Sequence, residues 1–192
     1  MLSADEKTQI QIRQRCHPTT PPAPGGPLRV ESEYRRHGTC AYLAAWDVHR
    51  AALFGGVVER LSIRAFDALV AYVMAQLPYR TAHRVFWVVD NGTIHRGARA
   101  CARVQARWPN LILVHLPIHA SWLNQIEIYF SILQRKALTP DDFASRHTLT
   151  ERILGFQQHY QQVARPFEWR YTRHDLAQLL QRVSAPPLLA AA

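Results

Sequence analysis

The chain has 192 residues, 48% of them hydrophobic, which is enough to enclose a core and excludes a disordered polymer. Its 23 Lys+Arg against 14 Asp+Glu give a formal charge of +9, and nearly all the cations are arginines, so a polyanion is the expected partner, nucleic acid first. Cys16, Cys40 and Cys101 form no CxxC pair and no apolar run reaches the length of a membrane span, so a zinc knuckle, a disulfide framework and a membrane protein are all disfavoured and a reducing cytoplasm is expected.

The first strand carries Asp5 and alternates through Ile10 and Ile12; only four residues precede Asp5, so the strand is expected to be short there. Residues 17–27 hold five prolines and read as an extended loop, because proline removes donors and restricts φ. Strands follow at about Thr39–Asp47 and Ala51–Glu59. Ile63, Phe66, Val70, Val73 and Leu77 recur at helical spacing behind an N-cap Ser62, with Pro78 as the stop. Val85–Asp90 is continuously apolar up to its closing acid, as a strand covered on both faces should be. A helix over Gly97–Trp108 and a strand over Leu111–Leu116 come next. A helical run begins near Ser121 and ends near Leu138. Thr148-Leu-Thr-Glu151 reads as a capping box opening a further helix, and a last helix covers about Arg173–Val183. Three antiparallel strands followed by alternating helix and strand define an α/β protein with a mixed five-stranded sheet.

Three acids stand out. Asp90 closes an apolar strand, at the sheet end where α/β folds place chemistry. Glu127 lies amid Ile126, Ile128, Tyr129 and Phe130, where an unpaired charge is costly. Asp5 sits on the first strand, which this plan puts centrally and beside the fourth. Such oxygen donors suit Mg²⁺ or Mn²⁺, and a pair of ions can clamp the two reacting oxygens of a phosphodiester displacement. Asn91 and His95 are candidates to orient Asp90 or touch a DNA backbone. Asn124 is placed one helical turn before Glu127, within reach of its carboxylate or of a DNA backbone phosphate. His115 and His119 are weak zinc candidates, since Pro117 breaks the helical register such a pair uses. Arg35, Arg36, Arg96, Arg99, Arg135 and Lys136 are candidate phosphate contacts, while Trp122 and Trp169 read as packing residues.

The segments Asp5-Glu-Lys-Thr8, Asp90-Asn91-x-x-x-His95, Leu116-Pro117 and Ser121-Trp-Leu-Asn-Gln-Ile-Glu127 resemble those of bacterial insertion-sequence transposases of the mariner superfamily with a DDE catalytic domain. The resemblance runs from Asp5 to the last helix. It implies an RNase H-like fold with helices on both faces, and Asp5, Asp90 and Glu127 as the three catalytic acids ligating two Mg²⁺ or Mn²⁺ ions. It further implies DNA strand cleavage followed by strand transfer, with element ends and target DNA as partners, a homodimer, and a nucleoid-associated bacterial location. Residues 1–185 would form the catalytic domain without the family's N-terminal helix-turn-helix region, and 186–192 a disordered tail. Two other readings stay open: a catalytically inactive DNA-binding remnant, and an RNase H-like nuclease.

Overall fold

The computed structural model describes residues 1–17, 20–118 and 120–184, so His119 and the 186–192 tail lie outside the described residues. The strands are β1 (Leu2–Arg15), β2 (Tyr34–Asp47), β3 (Ala52–Val58), β4 (Val85–Val89) and β5 (Leu111–His115). The helices are α1 (Ile63–Met74), α2 (Gly97–Arg107), α3 (Ile126–Lys136), α4 (Arg146–Val163) and α5 (Arg173–Ser184). The sheet order is β3-β2-β1-β4-β5, with β1–β2 and β2–β3 antiparallel and β1–β4 and β4–β5 parallel. This is the expected RNase H-like mixed sheet, with β1 at its centre.

The central strand is not short. It runs for 14 residues, with Leu2 already paired to Trp87 on β4 and to Asp47 on β2. Neighbours on both sides hold its first residues, so few residues are needed before Asp5 to fix that acid. A bulge follows: β1 advances from Lys7 to Ile10 while β2 advances only from Tyr42 to Cys40, and Gln9 takes φ 52°. The extra residue reverses the side-chain parity of the strand. Ser3 and Asp5 therefore share a face with Ile10 and Ile12, the face that α3 covers.

Two cores flank the sheet, and both are built by this alternation. Ile10, Ile12, Tyr42, Ala44 and Trp46 pack against Ile126, Tyr129, Phe130 and Leu133 of α3 and Leu149 and Ile153 of α4. Leu2, Ala4, Leu43, Trp87 and Val89 pack on the opposite face against Phe66, Leu69, Val70 and Val73 of α1 and Val104 of α2.

Some expected boundaries move. The first helix ends at Met74, before Leu77 and Pro78, although Ser62 caps it as foreseen by accepting from the Ala65 amide at 3.1 Å. The N-cap of α4 is Ser145, whose hydroxyl accepts from the Thr148 amide at 3.2 Å; Thr148 thus lies inside the helix and Thr148–Glu151 is not its capping box. The proline-rich loop is not wholly irregular, since it carries antiparallel bridges at Thr20–Arg29 and Ala23–Gly26. The 121–138 run is not one helix either. A 3-10 turn at Ser121–Leu123 precedes α3, with Asn124 extended between them at φ −77° and ψ 111°.

Candidate active site

The parallel pairing sets Leu2 opposite Trp87 and Ser3 opposite Val88. The same offset carried two residues further brings Asp5 level with Asp90, just beyond the end of β4. Glu127 joins them from the first turn of α3, where the helix N-terminus favours a negative charge.

Asp5 is almost fully buried and tightly supported. Its Oδ1 accepts from the Glu6 amide at 2.8 Å and its Oδ2 from Asn124 Nδ2 at 3.0 Å. Asn124 is fully buried; its Nδ2 also donates to the Ala4 carbonyl at 2.9 Å, and its Oδ1 accepts from the Ser3 hydroxyl. The Ser3 Oγ in turn accepts from the Ile126 amide at 2.9 Å, and the Asn124 carbonyl accepts from the Glu127 amide at 3.0 Å. A single network thus locks β1 to the start of α3. Asn124 acts here as a support of the first acid, not, as its expected helical position implied, of the third carboxylate. Its non-helical backbone is what turns the side chain toward β1.

Asp90 is held differently. Its Oδ1 accepts from the Gly92 amide at 2.7 Å and lies 3.2 Å from Nε2 of His95, a ring that is wholly buried and also sits 3.6 Å from Glu6 Oε2. Those two approaches lack hydrogen-bond alignment. A Cβ at Gly92 would stand 2.9 Å from Asp90 Oδ1 and 3.0 Å from His95 Nε2, so only glycine lets acid and imidazole meet there. His95 precedes α2, and its carbonyl accepts from His115 Nε2 at 2.8 Å. That contact gives His115 a structural partner; its zinc partner His119 lies outside the described residues. Asn91 turns away from Asp90 and donates to the Leu116 carbonyl at 2.6 Å, tying the ends of β4 and β5 together.

Burial pushes the Asp5 carboxyl up to about 7, opposed by the Glu6 amide and reinforced by the charges of Asp90, Glu6 and Glu127. Burial also raises Glu127, with Lys7 opposing and Asp90 and Glu6 adding to the rise. Lys7 is lowered by its own burial, against the pull of Glu127. Glu6 and Lys7 are members of the site that sequence reasoning missed. Strand alternation puts Lys7 on the face of Asp5 and Glu6 on the other, so only the fold brings Glu6 to His95 and Lys7 to Glu127.

The donor set is carboxylate oxygen, the ligand type of Mg²⁺ and Mn²⁺, and buried carboxylates whose charge is disfavoured by desolvation and by one another are the environment a divalent cation relieves. The acids share an electrostatic field without forming a closed cage: among the described residues no three His, Cys, Asp or Glu side chains converge tightly enough to enclose an ion. Beside Asp90 opens a cleft of about 380 Å³ lined by Asn91, Gly92, Arg96, Pro117, Ile118 and Ser121. Arg96 is the one expected phosphate contact that lines it. Arg99 is exposed on α2, Arg35 and Arg36 lie at the start of β2 opposite Gln14 and Arg13, and Arg135 and Lys136 occupy the last turn of α3, away from Glu127.

A central strand and its parallel neighbour presenting acids at one end, with a third acid on a covering helix, is the frame of RNase H-like nucleases and nucleotidyl transferases. The chain belongs to the DDE superfamily endonucleases, whose family profile matches residues 1–150. Its fold is similar to that of the Mos1 mariner paired-end complex with Mn (TM-score 0.58, 16% identity, 84% of this chain and 50% of that one). Similar too are the Mos1 transposase paired-end complex with the left transposon end (0.57, 18%, 86% and 48%) and the Mos1 strand transfer complex (0.53, 16%, 87% and 55%). The chain spans about half the length of the Mos1 chains it matches. No curated protein matches it. No described helix is long and apolar enough to cross a membrane.

Proposed function

We propose that this chain is the catalytic domain of a transposase, cutting DNA at the ends of a mobile element and joining the freed strand to target DNA. The observation that supports it most is the parallel pairing of Leu2 with Trp87 and Ser3 with Val88, whose register carried two residues further sets Asp5 level with Asp90, in a chain of the DDE family in which Glu127 shares the field of both acids. In this reading Asp5, Asp90 and Glu127 hold two Mg²⁺ or Mn²⁺ ions, which when bound neutralise charge at the scissile phosphate and make a nucleophile available at neutral pH. The chain's own residues supply position. Ser3 and Asn124 fix the Asp5 carboxylate; the Gly92 amide and His95 fix Asp90; Arg96 offers a cation to a phosphate entering the cleft beside it. Water attacks the phosphodiester first, and the freed 3′-hydroxyl then attacks target DNA. No covalent link to the protein is required. DNA is the partner, a homodimer the working unit, the bacterial nucleoid the location, and residues 1–185 the catalytic domain.

The test is nicking of duplex DNA carrying the inverted repeats that flank the gene, with and without Mg²⁺ or Mn²⁺. Glu127→Gln should fold normally and lose all cleavage; residual cleavage removes Glu127 from the site. The spread of the acids favours one competitor, a catalytically inactive DNA-binding remnant. A ligand that binds only the folded state must raise its stability, so the absence of any metal-induced rise in Tm selects the remnant.

A further inference from the structure

The residue that fixes Asp5 depends on a weak turn. Asn124 follows the 3-10 turn Ser121–Leu123, and its amide closes that turn by donating to the Ser121 carbonyl at 2.8 Å, as the Leu123 amide does to the Ala120 carbonyl at 3.0 Å. No residue of the turn is buried and no side chain caps it. A 3-10 turn this short has poor hydrogen-bond geometry and takes its stability from what packs on it. Ser121 lines the cleft beside Asp90, so the turn is also a wall of the site.

What meets the turn comes from the far end of the chain. Residues 164–172 run without regular structure from α4 to α5, beyond the part that the family profile covers. Phe167 stacks on Trp46 of β2 at 4.8 Å and fixes one end of this strap. Thr172 and Asp175 fix the other end as a reciprocal cap of α5: the Thr172 amide donates to Asp175 Oδ2 at 2.7 Å and the Asp175 amide to Thr172 Oγ1 at 3.2 Å. Between these anchors Tyr171 meets Trp122 of the turn edge-on, at 5.0 Å and 89°. Trp122 and Trp169, expected as packing residues, are 43% and 37% exposed, and both pack on the Tyr171 ring, Trp169 at 6.5 Å and 71°. A cavity of about 300 Å³, lined by Ser3, Val88, Leu123, Trp169 and Leu176 among others, opens between the strap and the β1–β4 pair. The strap therefore reaches the site at its rim, through the Tyr171–Trp122 pair, and not through a filled core.

We propose that Tyr171 is a positioning residue for the first acid. Through Trp122 it holds the Ser121–Leu123 turn, the turn sets the extended backbone of Asn124, and Asn124 Nδ2 holds Asp5 Oδ2 at 3.0 Å. Tyr171 needs no contact with metal or DNA in this role. The effect on cleavage rests on the DNA-processing reading of the acids; the effect on the turn and on Asp5 stands apart from it.

The first readout is amide hydrogen exchange of the full metal-free chain, which requires no activity. Tyr171→Ala should speed exchange at Leu123, Asn124 and Glu127 by about threefold to tenfold, the range one aromatic pair supports, with the β2 and β3 amides unchanged. Mn²⁺ affinity by calorimetry should fall by a similar factor. Single-turnover cleavage at saturating DNA should fall with it, while the Kd for DNA stays within about twofold. Tyr171→Phe keeps the ring and should match the wild type. Trp122→Ala should reproduce the loss, and Tyr171→Ala added to it should cost nothing more, because the two rings act as one link. Unchanged exchange and Mn²⁺ affinity in Tyr171→Ala overturn the proposal. So does faster exchange spread evenly over the sheet, which makes Tyr171 a general support of the fold, and so do additive losses in the double variant. A wild type that never cleaves, with the turn still loosened by Tyr171→Ala, defeats the transposase reading alone. A wild type that cleaves, with Tyr171→Ala equal to it in every readout, defeats this one alone.

Discussion

Replacing the first acid by its amide should stabilise the metal-free protein, and the gain should depend on pH. Asp5 has a folded pKa of about 7 against a reference of 3.8. A raised folded pKa means that the folded state holds the proton more tightly, so stability is fully present below the unfolded value and is lost as pH rises through about 7. At 1.36 kcal/mol per unit, the ionised carboxylate costs on the order of 4 kcal/mol above that range, of which about 2–3 kcal/mol accrues between pH 5 and 8.5. Asp5→Asn removes this dependence. It also loses something, because the amide has one oxygen for two donors, the Glu6 amide and Asn124 Nδ2, at a pH-independent cost of about 1 kcal/mol. The two proteins should therefore melt at similar temperatures near pH 5 in chelator-treated buffer. By pH 8.5 the variant should melt higher by about 5–10 °C, taking about 2–4 °C per kcal/mol for a chain of this size. Saturating Mg²⁺ should then raise the wild type and leave the variant unmoved, and the variant should not cleave DNA. Parallel melting curves from pH 5 to 8.5 would refute the assignment of a buried, mutually repelling carboxylate to Asp5.

Three further outcomes follow from the same geometry. Asn124→Ala removes hydrogen bonds to Ala4, Asp5 and Ser3 in a fully buried place, so urea denaturation should register a loss of about 2–4 kcal/mol, with metal affinity falling alongside. Gly92→Ala drives a methyl into Asp90 Oδ1 and the His95 ring; calorimetric Mn²⁺ titration should find weakened binding, and an affinity equal to the wild type would contradict the close approach. Ser145→Ala should cost about 1 kcal/mol through loss of the α4 cap, whereas Thr148→Ala should cost less; the reverse order in thermal melts would return the cap to Thr148.

How far the fold can be read without coordinates depends on where its signals lie. Strand and helix identities rest on local periodicity, and β2 through β5, α1 and α2 appear within a few residues of where their apolar patterns put them, β2 beginning earliest relative to expectation. Boundaries that depend on competing caps slipped, as at Ser145 and at the end of α1. The break at Asn124 was invisible because Ser121–Leu133 carries apolar residues at spacings compatible with one continuous helix. Only the need of that amide to reach Asp5 and the Ala4 carbonyl explains its extended backbone.

By itself, the sequence determined a mixed α/β sheet, a cation-rich surface and three acids in motifs long enough to indicate the DDE family. The first two are properties of composition and period along the chain; the third rests on the resemblance of its motifs to those of known transposases. The tertiary structure alone decided the firmness of β1, which comes from pairing on both edges. It also decided the role of Asn124, the approach of Glu6 to His95 and the electrostatic tie of Lys7 to Glu127. Each of these is a contact between segments distant in sequence, and the energy of such a contact depends on burial and distance, which a linear pattern does not contain.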